Sequence, residues 1–109
     1  MKKILVLASG RGSNFRALLE AVNHGVLRAE IVALGVSRRD AGAVQIAESH
    51  RLPILFAPSE AELLEYVRAN RVDAVVLSGY MKILSAGFVD ALRDDRGVSR
   101  ILNIHPSLL

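Results

Sequence analysis

Asn103 and His105 stand two residues apart near the carboxyl end of the chain, in the run Ile101-Leu102-Asn103-Ile104-His105-Pro106-Ser107. On an extended strand, residues i and i+2 project from one face, so this spacing sets an amide donor beside an imidazole. The pair suits acyl transfer. Each group can hydrogen-bond a carbonyl oxygen that becomes an oxyanion, and a protonated His stabilises that charge further. A lone His more often satisfies a buried polar contact, and an Asn often closes a strand; the Asn-x-His spacing shifts the reading towards catalysis. His24 and His50 fall on or after helices with no such partner and read as ordinary structural residues.

A second candidate lies near the amino end, in Ser9-Gly10-Arg11-Gly12-Ser13-Asn14. Gly10 and Gly12 allow close backbone approach to a ligand. The free N–H groups and dipole of a following helix would make the turn an anion site, to which Ser13 and Asn14 add a hydroxyl and an amide. A tight strand-to-helix turn with Ser13 or Asn14 as N-cap fits the same residues. A dinucleotide fingerprint needs a small residue where Phe15 stands, and a Walker A loop needs Gly-Lys-Ser/Thr where Phe15-Arg16-Ala17 stands. One phosphate, a monophosphate, is what survives. Arg38-Arg39 could imitate a 2′-phosphate site but reads as a surface turn, and Asp94-Asp95 reads as a solvated pair at a helix end. Ser78-Gly79-Tyr80-Met81-Lys82-Ile83-Leu84 could line a flat, largely apolar ligand through its main chain. The capped start of a helix fits that segment equally.

The elements that must position these residues follow from periodicity. Apolar runs predict strands at 3–8, 30–36, 54–57, 73–77 and 101–104. Phe15, Leu18, Leu19 and Val22 mark the apolar face of a helix that Gly25 stops. A second helix is expected over 41–50. A third is capped by Ser59 with Leu63, Leu64 and Val67 inward, and a fourth lies around Phe88, Val89 and Leu92. Five strands alternating with four helices predict an α/β fold with a parallel sheet, and ligands then bind beyond the carboxyl ends of the strands.

Composition bounds the function classes. The 109 residues are 51% hydrophobic and 23% charged, which suits one globular domain over 1–109. No apolar run approaches the ~20 residues of a membrane span. The first residues resemble a secretory signal only superficially, since the apolar core is short and runs into a glycine turn. The absence of Cys excludes disulfides and thiolate chemistry and suits a cytoplasmic protein. Only 5% aromatic residues leave few stacking platforms and disfavour nucleic-acid binding, and a net charge of +3 suits a small anionic ligand just as well. The chain stops on Leu108-Leu109, so these leucines are expected either to fold into the core or to mark a cut.

The turn SGRGSN, the segment SGYMKIL and the terminal ILNIHPSLL, in this order on these strands, resemble the phosphoribosylglycinamide formyltransferases of purine biosynthesis. The resemblance implies a three-layer Rossmann-like formyltransferase fold, of which this chain is the N-terminal, phosphate-binding half. It implies that Gly12, Ser13 and Asn14 hold the phosphate of glycinamide ribonucleotide. Met81, Lys82, Ile83 and Leu84, with Asn103, would bind 10-formyltetrahydrofolate. Asn103 and His105 would be catalytic, stabilising the oxyanion formed when the substrate amine attacks the formyl carbon, with no metal involved. Two departures follow. Ser59-Glu60-Ala61 occupies the region where the family carries an Arg that assists folate binding. The family's catalytic Asp lies downstream of the NIHPSLL motif, so the isolated chain is expected to be truncated and inactive or very weak. The expected partners are the two small-molecule substrates, without nucleic acid or membrane; a homodimer is left open. The alternatives are a formyltetrahydrofolate hydrolase, a methionyl-tRNA formyltransferase, or a non-catalytic module that binds a nucleotide monophosphate.

Overall fold

The computed structural model describes residues 1–8, 12–38, 42–80 and 84–103. Strands β1 (Lys2–Ala8), β2 (Ala29–Val36), β3 (Ile54–Phe56), β4 (Ala74–Ser78) and β5 (Ile101–Asn103) alternate with helices α1 (Ser13–Asn23), α2 (Gly42–Ser49), α3 (Glu60–Ala69) and α4 (Ala86–Ala91). The strands form one parallel sheet in the order β3-β2-β1-β4-β5. From β1 the chain steps outward to β3, then crosses back to β4 on the other side. Right-handed crossovers therefore put the first two helices on one face and the last two on the other.

The burial pattern shows this three-layer arrangement. Ile4, Val6 and Ala8 of β1 pack with Phe15, Leu18 and Leu19 of α1 and with Ala43, Val44 and Ala47 of α2. Leu5 and Leu7 face the other way, against Leu63 and Val67 of α3 and Phe88 at the inner face of α4. A strand covered on both faces must be apolar at every position, which is why residues 4–8 read as an unbroken run.

Most element ends fall within one or two residues of the sequence expectation. Gly25 stops α1 with φ 77°, while the N–H groups of Gly25 and Val26 return to the carbonyls of Val22 and Ala21. Ser59 caps α3 in a reciprocal capping box with Glu62. Two features depart from simple periodicity. α1 starts at Ser13, ahead of its apolar stripe, with Gly12 as N-cap. In β2 the pairing with β1 slips between Ile4 and Leu5, so that Ile4 opposes Ile31 but Leu5 opposes Ala33. The extra residue, Val32, lets Val32 and Ala33 both face the α3/α4 side, and Leu34 returns to the α1/α2 side. Ile104, expected at the end of β5, lies outside the described residues.

Candidate active site

All five strands run the same way, so their carboxyl ends share one edge, and the direction of the winding reverses between β1 and β4. This is the crevice where open α/β sheets hold ligands. Ala8 pairs with Ser78, and Leu77 pairs with Asn103, so the ends of β1, β4 and β5 lie side by side. With strands about 4.8 Å apart, the three ends span about 10 Å.

On the β1 side, Gly12 ends the turn and begins α1. Its φ is 87°, and its side-chain direction is closed: an added Cβ would stand 2.5 Å from the Ala43 nitrogen and 2.8 Å from the Gly42 carbonyl carbon. Glycine is thus required by the packing of the turn against the start of α2. Ser13 and Asn14 are the first two helical residues, both exposed, and neither is the N-cap. Among the described residues no side chain caps the first turn, and the turn holds no acidic residue. α3 differs, with its own capping box and Glu60 and Glu62 in the first turn. The α1 N-terminus keeps the partial positive charge of its first N–H groups, the feature that attracts an anion.

On the β4 side, Ser78 is the described polar residue that is fully buried, and its Oγ has no hydrogen-bond partner among the described residues. It alternates in phase with Ala74 and Val76, on the α1/α2 face. Tyr80 and Leu84 are half-buried and pack against the α3/α4 cluster. Burial and, after it, the negative charge of Glu60 push the Tyr80 phenol above its ordinary pKa. Leu84 thus turns its side chain into the core. Met81, Lys82 and Ile83 lie outside the described residues.

Asn103 ends β5, exposed, two residues after Ile101, which packs on the α3/α4 side. Period-2 alternation puts Asn103 on that same side, whereas α1 starts on the opposite face. A ligand touching both must lie across the edge, over β1, β4 and β5. His105 lies outside the described residues.

A group that residue patterns did not single out is Glu60 with Ser85. The Ser85 N–H donates to Glu60 Oε2 at 2.8 Å, and the Ser85 hydroxyl donates to Glu60 Oε1 at 2.5 Å. Ser85 Oγ in turn caps α4 by accepting from the Phe88 N–H. Twenty-five residues separate the partners, so no local pattern reveals the contact. Elsewhere, a groove of about 490 Å³ starts at the amino ends of β1 and β4 and runs beside β5, bordered by Lys2, Ile4, Asp73, Arg100 and Leu102. Its amino-end opening sets it apart from the edge where the candidate residues gather. Among the described residues, no group of three His, Asp or Glu could hold a metal ion, and no helix is long and apolar enough to cross a membrane.

The family model described as Formyl transferase matches residues 2–109. The chain belongs to the formyl transferase family. Two relatives of this formyl transferase chain are similar over nearly its whole length. One is a chloroplastic phosphoribosylglycinamide formyltransferase of Arabidopsis thaliana, 36% identical over 99% of this chain and 39% of its own length. The other is the phosphoribosylglycinamide formyltransferase of Haemophilus influenzae, 36% identical over 100% of this chain and 53% of its own. The formyl transferase chain therefore spans about half the length of the curated relatives it matches, or less. Glycinamide ribonucleotide transformylase 1 from Geobacillus kaustophilus superposes with a TM-score of 0.82 at 30% identity, over 96% of this chain and 58% of that one. A formyltetrahydrofolate deformylase from Pseudomonas putida, 22% identical with a TM-score of 0.81 over 95% of this chain and 38% of that one, shares the fold.

Proposed function

We propose that this chain supplies the phosphate-binding half of a phosphoribosylglycinamide formyltransferase, which moves the formyl group of 10-formyltetrahydrofolate to the amine of glycinamide ribonucleotide. The observation that carries the reading is the strand order, which lines up the ends of β1, β4 and β5 at the switch point. A phosphate at the α1 N-terminus would meet the N–H groups of Ser13 and Asn14 and their side chains. The rest of the ribonucleotide would then reach across β4 towards β5. The folate is a co-substrate, bound by the main chain of Met81, Lys82, Ile83 and Leu84 and by Asn103.

In the proposed reaction the substrate amine attacks the formyl carbon, forming a C–N bond and an oxyanion. Asn103 donates to that oxygen, and protonated His105 stabilises its charge. Collapse breaks the bond to the folate nitrogen, which takes up the proton that the attacking amine gives up and leaves as tetrahydrofolate. We also propose that the protein acts in the cytoplasm.

Assays on the polypeptide at its natural length test the reading. Tetrahydrofolate should form from 10-formyltetrahydrofolate only when glycinamide ribonucleotide is present. Asn103→Ala and His105→Ala should each lower kcat by about 10²-fold or more while ribonucleotide binding persists. Activity surviving both changes would overturn the catalytic assignment. The second reading, a formyltetrahydrofolate hydrolase, draws on the shared fold of the deformylase and requires turnover without the ribonucleotide.

A further inference from the structure

At the amino edge of the sheet, opposite the ends where the candidate residues gather, arginines from two separate segments line one pocket of about 300 Å³. Arg68 lies in the last turn of α3, Arg71 follows that helix, and Arg100 precedes β5. Asp73 and the buried Val67 and Val72 complete the lining. The backbone beneath them is pinned. The Val72 N–H returns to the Val67 carbonyl at 3.0 Å, the Arg100 N–H donates to Leu92 at 2.7 Å, and the Arg100 carbonyl accepts from Val75 at 2.8 Å. The charges above it are not matched. Asp73 Oδ2 accepts from the Lys3 main-chain N–H at 2.8 Å. Arg68 and Arg71 are exposed, and neither side chain has a hydrogen bond or ion pair among the described residues. Arg100 is half-buried; its Nη1 donates to the Val72 carbonyl at 3.3 Å, and its Nε is buried with no partner among the described residues.

We infer that this pocket is a second anion site, built for a phosphoryl dianion carried by inorganic phosphate or by a small phosphate monoester. The dipole of α3 accounts for cations at its C-terminus, as Arg68 and Arg71 are. It does not account for Arg100, which comes from another segment and keeps a guanidinium donor out of water without an acceptor, a costly arrangement until something accepts from it. With Nη1 held by Val72, the edge of the fork left over is Nε with Nη2. Such an edge grips two oxygens of one phosphate once the side chain turns towards the pocket it lines. Three guanidinium groups against one carboxylate leave two positive charges, the complement of a phosphate monoester that carries about −1.5 to −2 at neutral pH. A volume of about 300 Å³ lies at the lower end for small-molecule sites, which suits a phosphate and little more. β4, five residues long, separates this pocket from the carboxyl edge by roughly 16 Å. Its occupant is therefore a different group from the substrate phosphate proposed at α1, and the inference stands apart from the proposed function.

An NMR titration of the polypeptide at its natural length with sodium phosphate tests the site, because each residue reports through its own amide. Saturable shifts should appear at Arg68, Arg71 and Arg100, and at the Arg100 Nε–H, with a Kd of about 1 mM or below. Sodium chloride at the same ionic strength should not reproduce them. Ser13 and Asn14 report the phosphate site proposed at α1 and should follow a separate curve. Arg68→Gln and Arg71→Gln alter exposed side chains, so the fold should persist. Each should weaken binding at the Arg100 reporter roughly tenfold and leave the curve at Ser13 and Asn14 unchanged. Ribose 5-phosphate in place of phosphate separates the two sources. Tighter binding assigns the pocket to an organic monoester and weaker binding to the free ion, and both support a phosphoryl site. The absence of saturable shifts at Arg68, Arg71 and Arg100, or an equal response to chloride, would overturn the inference. Unchanged affinity in both glutamine variants would overturn it as well.

Discussion

Replacing Gly12 by Ala should cost far more than the same change at Gly25, although both glycines hold positive φ, 87° and 77°. At Gly25 a Cβ would meet nothing within 4 Å. Gly25→Ala therefore reports conformational strain alone, about 1–2 kcal/mol for an L residue in the left-handed region. At Gly12 the new carbon would stand 2.5 Å from the Ala43 nitrogen, 2.8 Å from the Gly42 carbonyl carbon and 2.9 Å from the Ala43 Cα. All three are backbone atoms at the start of α2, so no rotamer change relieves the clash and the helix start itself must move. Overpacking of that kind adds about 1–3 kcal/mol, for a total of about 2–5 kcal/mol. Urea denaturation of wild type and both variants in one buffer reads the gap directly, with matched m-values as the check that the unfolded state is unchanged. Equal losses at the two positions would refute the steric argument and show that the start of α2 yields freely.

Three further outcomes follow from single residues. Ser78→Ala removes a buried hydroxyl that has no partner among the described residues, so stability should hold or rise by about 1 kcal/mol; a loss of that size would mean the hydroxyl is bonded in solution. Arg71 closes α3 with φ 53°, its side chain exposed, and Arg71→Gly should gain about 0.5 kcal/mol, the relieved strain being offset by a more flexible unfolded chain. Thermal melts that show a loss would contradict this. The Glu62 carboxyl is held below its ordinary value of 4.5, first by the Ser59 backbone N–H and then by the Ser59 hydroxyl. A depressed folded pKa gives stability that is present above the unfolded value and lost as pH falls through the folded one. The stability gap between wild type and Glu62→Gln should therefore be present at neutral pH and close on acidification below 4.5. A gap that stays constant with pH would show that Glu62 acts through packing alone.

Much of the architecture was legible in the residues because its signals are local. The unbroken apolar run at 4–8 requires cover on both faces, Phe15, Leu18 and Leu19 recur at helical spacing, and Gly25 and Ser59 carry the chemistry of a helix stop and start. The sheet's carboxyl edge was foreseeable for the same reason, since alternating strands and helices imply parallel pairing. The bulge at Val32 was not legible, because a slip of register exists only between two strands. Asn14 and Ser13 looked like caps, yet α1 begins one residue earlier, where the backbone of α2 presses on Gly12 and leaves space for nothing larger. The Asn-x-His spacing named a pair, and the structure describes Asn103 on the α3/α4 side; His105, Met81, Lys82 and Ile83 lie outside the described residues.

By itself, then, the order of residues determined which segments are strands and helices, which faces are apolar, and which polar residues stand after each strand. Those properties depend on neighbours within a turn or two of backbone. The tertiary structure decided that β1, β4 and β5 end side by side, that α1 starts on one face while Asn103 ends β5 on the other, and that Glu60 reaches Ser85. Each of these depends on where the crossover from β3 to β4 returns the chain. That choice is made by burying both faces of one sheet at once, a constraint that acts across the whole molecule.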